Sequence, residues 1–334
     1  MSEAQKHPID IVIAWVDGTD PKLKAKRERY LSSYSFLPAG AEPTRFRSLN
    51  EVLFCLLSIF KFAPFVRNVF IVTDEQDPKI DQLINSYYPE RLKSIRIIDH
   101  KEIFKDYETY LPTFNSICIS NMLWRIKDLS DQFVYFNDDL FLMRPVNPRD
   151  WFKEGRPVLR GKWSLPPYER LIWDTVKLFL KKIFTPHGSR ELQPSFQVNQ
   201  WNAAKLLGFR WRYFRSGHTP LPLDKKTLEN YFTTYPEQLK KNISYRFRHY
   251  TQFNTVALAN HLELSNGNHY LAAPQALYIQ PHHRHQAYID QKFDKAQSDE
   301  KLLFGCIQSL DLASKNEQQK VFQRLKTLLN LTHI

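Results

Sequence analysis

Ile9-Asp10-Ile11-Val12-Ile13-Ala14-Trp15-Val16 is a nearly unbroken apolar run, rich in isoleucine and valine, that stops at the turn pair Asp17-Gly18. Such a run, bounded by a turn, predicts a strand buried on both faces. The signature returns three times: Val69 to Val72 ends at Thr73-Asp74, Ile95 to Ile98 at Asp99-His100, and Phe133 to Phe136 at Asn137-Asp138-Asp139. Helical stretches lie between these runs. One is basic and starts near Pro21; a second leads through Phe62 to a stop at Pro64, with Ser48 and Glu51 at capping-box spacing. A third, Asn115 to Ile126, sets Ile117, Ile119, Met122, Leu123 and Ile126 along one face. Strands alternating with helices predict an α/β fold, a mainly parallel sheet flanked by helices. Ligands of such sheets gather beyond the carboxyl ends of the strands, so Asp17, Asp74, Asp99 and the Asp138-Asp139 pair are expected on one rim. A turn aspartate also commonly caps its own loop, and not all of these need face a ligand.

The chain has 334 residues, 43% of them apolar and 14% aromatic, with only nine glycines, which excludes disordered and collagenous classes and predicts a large core. Cys55, Cys118 and Cys306 lie in apolar surroundings without paired spacing, as expected of buried thiols in a reducing compartment. The polar stretch Met1 to Pro8 and the lack of any run of bilayer length lead to the expectation of a cytoplasmic protein. A net charge of +12 points to anionic partners. No nucleic-acid module is present and the basic residues are scattered, so nucleic acid is not among them. Beyond Trp151 the pattern turns irregular, dense in aromatics and prolines. The expected organisation is a core over residues 1–152 and a second, α-rich lobe or cap over 153–334 completing the same catalytic domain.

Two adjacent carboxylates after a buried strand, preceded by an asparagine, make an oxygen-rich turn suited to Mg²⁺ or Mn²⁺. A tight turn with solvated acids fits the same spacing, and spacing alone leaves the two open. The wider pattern adds to this. Trp15-Val16-Asp17-Gly18-Thr19-Asp20, Arg45-Phe46 with Glu51, Ser58-Ile59, Ala63-Pro64-Phe65-Val66-Arg67-Asn68 and Ile71-Val72-Thr73-Asp74 with Gln76 resemble the first two conserved regions of the Stealth family. His100 to Phe104, Leu111-Pro112-Thr113-Phe114-Asn115-Ser116, Leu129-Ser130 and Tyr135-Phe136-Asn137-Asp138-Asp139 follow in order, and His218-Thr219-Pro220 with Tyr245-Arg246-Phe247-Arg248-His249 resemble the third region more weakly. Three departures stand out: Ser48 and Leu57 replace a usual aspartate and arginine, and a glutamate usual after the LPTF-x-S run is missing near Ser120. The nearest match to the family's fourth region, Cys306-Ile307-Gln308-Ser309, is too imperfect to carry a site.

The resemblance implies a Rossmann-like, GT-A-like sheet and a sugar-1-phosphate transferase. The donor would be a UDP-sugar, with an N-acetylhexosamine the expected hexose, and the acceptor a hydroxyl of a phosphorylated oligo- or polysaccharide. UMP would leave, and a phosphodiester of capsular or other surface polysaccharide would form. It implies Asp138 and Asp139 as metal ligands, Asp139, His218 and Arg248 as catalytic groups, and Trp15, Val16, Asp17, Gly18, Arg45, Asn115, Ser116 and Asn137 as donor contacts. His218 would serve as base or phosphate ligand, and Arg248, with Arg246 as the neighbour it could be confused with, as a phosphoryl contact. Two other classes remain open: a metal-dependent glycosyltransferase releasing UDP, and a catalytically weakened sugar-nucleotide-binding subunit, to which Leu57 and Ser120 point. Leu171 to Phe184, with Trp173, Phe179 and Lys177, Lys181 and Lys182, reads as a basic amphipathic helix. It suits either packing on the protein or peripheral contact with the anionic inner face of a bacterial plasma membrane. The basic run Pro281 to His285 reads as a solvated loop.

Overall fold

Strands form where the isoleucine- and valine-rich runs predict them, each ending close to its turn. The computed structural model describes residues 7–34, 37–38, 40–41, 49–184, 191–282 and 287–332, with only the helical course of 181–184. Its strands are β1 Ile9–Ala14, β2 Val69–Thr73, β3 Ile95–Asp99, β4 Gln132–Asn137, β5 Leu140–Leu142, β6 Phe152–Lys153, β7 Arg156–Ser164, β8 Tyr213–Ser216, β9 Leu221–Asp224, β10 Tyr270–Ala272, β11 Ala276–Ile279 and β12 Phe304–Ile307. The central sheet runs β3-β2-β1-β4-β9; the first four strands are parallel and β9 closes the edge antiparallel to β4. This is the strand order of a Rossmann-like half with an added strand. Because β9 comes from the second half of the chain, that half is stitched into the central sheet. A small sheet β11-β12-β5 joins the two halves again, and β10-β7-β6, with β8 on β7, forms a further layer.

The alternation of side chains in β1 feeds two cores, one on each face of the sheet. Ile11 and Ile13 pack with Val134 and Phe136 against Cys55, Leu56 and Ile59 of helix Glu51–Phe62, and this core extends to Val321 and Leu325 of helix Lys315–Leu329. Val12 faces the other way, with Phe70, Val72 and Tyr135, onto Cys118 and Met122 of helix Ser116–Met122 and Val256 and Leu258 of helix Thr255–Asn266. All three cysteines are buried free thiols. No helix among the described residues is long and apolar enough to cross a membrane.

Some boundaries differ from expectation. β1 ends at Ala14, so Trp15 and Val16 have already left the sheet. The second helix begins at Glu51 with Asn50, at φ 65°, as its cap, and the Glu51 carboxylate accepts from the Leu49 N–H at 2.6 Å. Ser48, which the expected capping box requires, lies outside the described residues. The helix expected from Asn115 to Ile126 is regular only to Met122 and tightens into a 3₁₀ turn at Leu123–Arg125.

One polar residue sits inside the strand run. Asp10 is fully buried, and its carboxylate accepts from Arg67 Nε at 2.9 Å, Arg67 Nη2 at 2.5 Å, the Asn68 N–H at 3.1 Å and the Ser130 N–H at 2.8 Å. It thereby ties together the starts of β1, β2 and β4. Asp10→Ala leaves those donors without their acceptor and is expected to cost about 3 kcal/mol in urea unfolding. A loss below about 1 kcal/mol would show that the clip is dispensable.

Candidate active site

The parallel register sets the site. Ala14 lies beside both Val72 and Asn137, so the chain leaves β1, β2 and β4 at one level. Beyond that edge opens a cavity of about 600 Å³, a volume suited to a small-molecule substrate. Trp15, Val16, Asn115, Ser116, Asn137, Asp138, Asp139, His218 and Arg248 all line it. Asp17 and Gly18 do not line it, and Arg45 lies outside the described residues.

The rim aspartates divide by task. Asp17 Oδ1 accepts from the N–H and hydroxyl of Thr19 at 2.8 and 2.6 Å, closing its own turn. The Gln76 amide holds the same turn from outside, accepting from the Asp17 N–H and donating to its carbonyl. Asp99 caps the short helix after it and accepts from the Glu75 N–H at 2.7 Å. Asp74 lines the cavity, but Lys26 donates to both of its carboxylate oxygens at 3.0 and 3.1 Å. That leaves Asp138 and Asp139.

This pair forms an acidic floor whose charge is only partly offset. Tyr135 donates to Asn137 Oδ1 at 2.8 Å, and the Ile307 N–H donates to the Asp139 carbonyl at 2.9 Å, fixing the turn from both sides. Asp139 Oδ2 takes a 3.6 Å contact from the Cys306 thiol, and Oδ1 is buried without a partner. Burial raises the Asp139 carboxyl to about 6; Glu51 adds to this, while Cys306 and Arg248 oppose it. Asp138 is raised well above the carboxylate range by burial, then by Glu51 and Asp139. Carboxylates crowded and desolvated in a cavity mark a candidate functional site. Among the described residues no three acidic, histidine or cysteine side chains form a ready-made metal cage.

Arg248 reaches the cavity through a zipper between two distant segments. Phe114 N–H donates to the Arg246 carbonyl at 2.8 Å, Arg246 Nη1 to the Pro112 carbonyl at 2.6 Å, and Phe114 stacks on Phe247 at 5.4 Å. Asn115 caps its helix by accepting from the Ile117 N–H, and its amide donates to the Tyr245 carbonyl and to Gln252 Oε1. Its polar atoms are thus committed to the protein. Ser116 accepts from Arg248 Nη2 at 2.6 Å. Gly40 lies against the Arg248 backbone so closely that a Cβ there would stand 2.4 Å from the Arg248 carbonyl oxygen. Arg246, lodged over the Tyr30 ring at 4.4 Å, belongs to the zipper, and Arg248 is the guanidinium that lines the cavity.

His218 is sandwiched between Phe196 and Tyr278, with ring centroids 5.1 and 5.3 Å away and interplanar angles of 24° and 23°. Burial lowers its pKa below the usual histidine value, so it is a neutral imidazole at pH 7. One wall escaped sequence reasoning. Residues 307–312, including Gln308, Ser309 and Asp311, line the cavity directly after Cys306. The Cys306-Ile307-Gln308-Ser309 match was the available signal; the contact from Cys306 to Asp139 gives it meaning. Leu57, in contrast, is fully buried in the core and lines no part of the cavity, and Ser120 shares a 2.8 Å hydrogen bond with the Thr255 hydroxyl.

The chain matches conserved region 2 of Stealth proteins over residues 45–158 and conserved region 1 over residues 7–35. It therefore belongs to the Stealth family. It is similar to a capsular polysaccharide phosphotransferase of Neisseria meningitidis serogroup B, 31% identical over 75% of this chain and 62% of the relative. The capsular polysaccharide phosphotransferase fcs1 of Haemophilus influenzae is 32% identical over 72% of this chain and 61% of its own length. An exopolysaccharide phosphotransferase of Streptomyces coelicolor, SCO6023, is 41% identical over 46% of this chain and 24% of the relative. The chain thus spans about three fifths of the length of the first two relatives. Among solved structures, the galactosyltransferase LgtC in complex with donor and acceptor sugar analogues is similar, with a TM-score of 0.44 at 13% identity over 97% of each chain. The bifunctional WbbM apo structure gives a TM-score of 0.47 at 11% identity over 99% of this chain and 51% of that one.

The charge on Asp139 has a stability consequence. Its carboxyl holds a proton up to about 6 in the fold, against 3.8 for an aspartate in water, so the folded protein gains stability as pH falls from above 6 toward 3.8. Asp139→Asn carries no charge to relieve. It is expected to be more stable than wild type by about 1–2 kcal/mol at pH 7.5, with the gap closing near pH 4, in denaturant titrations at both pH values without divalent ions. A variant less stable than wild type at pH 7.5 would show that the fold already balances the charge.

Proposed function

We propose that the chain transfers a hexose 1-phosphate, an N-acetylhexosamine 1-phosphate in the first instance, from a UDP-sugar to a hydroxyl of a phosphorylated oligo- or polysaccharide, releasing UMP. The observation that carries this reading is the convergence of the Asn137-Asp138-Asp139 turn, the Ser116-anchored Arg248 and the neutral His218 around one cavity at the strand ends. The site suits the two negatively charged reactants such a transfer joins, and the +12 net charge suits the acceptor.

A divalent ion, Mg²⁺ or Mn²⁺, fits the floor: Asp139 Oδ1 is an orphaned buried acceptor, and the raised carboxyl pKa values record charge in need of a cation. Asp138 and Asp139 would hold it. The small number of protein ligands suits a hard ion whose remaining ligands are water and phosphate oxygens. Bound there, it supplies neutralisation of charge growing on the leaving nucleotide.

The chain's own groups account for the rest. Trp15 and Val16 provide the wall on which the nucleotide lies. Arg248, aimed by Ser116, binds a non-bridging oxygen of the transferring phosphoryl group through its planar fork. His218 takes the proton from the acceptor hydroxyl as its oxygen attacks the sugar-bearing phosphorus. The new O–P bond forms, the P–O bond to UMP breaks, and the C1–O bond of the sugar stays intact. The stacked rings fix the imidazole in plane, and its partial burial, which lowers its pKa, preserves its basic form. Of the two departures that point to a weakened binding subunit, Leu57 lies in the core outside the cavity, whereas Ser120 lines it, so the absence of UMP in the assay below is the outcome that favours that subunit. UDP-sugars are cytoplasmic metabolites, so the reaction is placed on the cytoplasmic side.

Incubation with a panel of UDP-sugars, Mg²⁺ and phosphorylated oligosaccharides should yield UMP and a ³¹P phosphodiester signal. UDP as the product would identify a glycosyltransferase instead, and donor binding without turnover a binding subunit. His218→Gln is expected to lower kcat by about 10²–10⁴-fold and to remove the acid limb of the pH profile below the ordinary histidine value. Arg248→Lys should cost about 10²-fold in kcat/KM, whereas Arg246→Lys, outside the cavity, should lower unfolding stability with much smaller kinetic effect. Equal kinetic losses in the two arginine variants would remove the special role of Arg248.

A further inference from the structure

The helix Tyr168–Phe184 carries its apolar face outward. Tyr168, Ile172, Trp173, Val176, Phe179 and Leu180 are each between 41% and 64% exposed, and at helical spacing they form one continuous arc. Only Leu171, Asp174 and Leu178 among residues 168–180 are half-buried against the protein. Leu165, 78% exposed, extends the arc ahead of the helix. An outward apolar surface of this size on a charged protein marks something that covers it.

We infer that this face lies in the surface of an anionic lipid bilayer. Charge favours that occupant. Arg170 and Lys177 are exposed along the edge of the arc, the sequence adds Lys181 and Lys182 after it, and Arg212 stands over the Trp163 ring just before the helix at 4.5 Å. The acids on the helix are few: Asp174 pairs with Arg170 at 3.4 Å, and Glu169 sits in the first turn at the helix N-terminus. Aromatic and aliphatic side chains flanked by lysines and arginines are the chemistry of a helix lying in the headgroup region. A second copy would bring a like net charge of +12 to the same face, which opposes self-association there and favours anionic lipid.

The face also adjoins the cavity. Tyr168 packs edge-on against Trp201 at 6.4 Å, on helix Phe196–Leu206, whose first residue lines the cavity and stacks on His218. A bilayer on this side would meet the cavity at the His218 wall, where, on the phosphotransferase reading, a lipid-held acceptor would enter. Docking itself is independent of that reading, because it is measured without turnover.

The test is flotation of the full chain with phosphatidylglycerol–phosphatidylcholine vesicles and with phosphatidylcholine alone. Wild type should float with the anionic vesicles, release at about 0.5 M salt and stay below with the neutral ones. Ile172→Glu combined with Phe179→Glu should reduce the floated fraction at least about tenfold, with an unchanged circular dichroism spectrum because both side chains are exposed. Transfer to a soluble acceptor should be unchanged in that variant, while transfer to a vesicle-anchored acceptor falls. Failure of wild type to float, or equal flotation of the variant, overturns the docking face. A dimer in sedimentation that the variant abolishes, without vesicle binding, assigns the face to a second copy and overturns it too. If vesicles bind but no donor gives UMP, the docking stands and the phosphotransferase reading fails.

Discussion

The pairing of β1 with β4 is the constraint from which the site follows. Parallel ladders carry no freedom to slip by one residue without turning every side chain to the opposite face. With Ile11 and Ile13 committed to one core and Val12 to the other, the register that sets Ala14 beside Asn137 is enforced by burial on both sides of the sheet. Whatever follows those two residues must then leave the sheet at the same height. Trp15-Val16 and Asp138-Asp139 are neighbours for that reason, with no direct contact between them needed to hold them so.

Around that edge the protein spends its polar groups unequally. Asp10, Asp17 and Asp99 have their oxygens engaged by backbone or arginine donors and serve the scaffold. Asp74 is matched by Lys26. Burial and Glu51 raise the cost of ionising both Asp138 and Asp139, and Asp139 adds to that of Asp138. Asp139 Oδ1 is buried without a partner among the described residues, as are His100 Nδ1, Thr113 Oγ1 and Thr219 Oγ1 on the same cavity, so unspent polar groups gather where a polar ligand would engage them.

Much of this was legible in the residues. The strand runs announce themselves because both faces are buried, and their ends name the rim. What spacing does not reveal is which rim aspartate bends back on its own loop: Asp17 and Asp138 each follow a strand, and only the Thr19 hydroxyl, two residues on, distinguishes the first. The zipper between Pro112–Ser116 and Tyr245–Gln252 is equally silent, since the side chains of Asn115, Arg246 and Arg248 find partners about 130 positions away, and no local pattern marks those pairs. Arg246 and Arg248 differ in sequence by nothing that tells which one faces the ligand. The wall at residues 307–312 depends on β12 finding β5 and β11, a long-range pairing that local patterning does not encode. Amphipathicity identified the helix at Tyr168–Phe184, but periodicity gives no direction for its apolar face; that is set by what packs beneath Leu171 and Leu178.

The Ser116–Arg248 contact spans 132 residues, and the Cys306–Asp139 contact spans 167. Closing loops of that length is entropically slow relative to forming the local strand and helix pairs. During synthesis, the acidic turn is therefore made long before its guanidinium partner or its thiol exists. Between residues 139 and 248 a growing chain holds both carboxylates without Arg248, the cation that offsets the Asp139 charge in the finished fold.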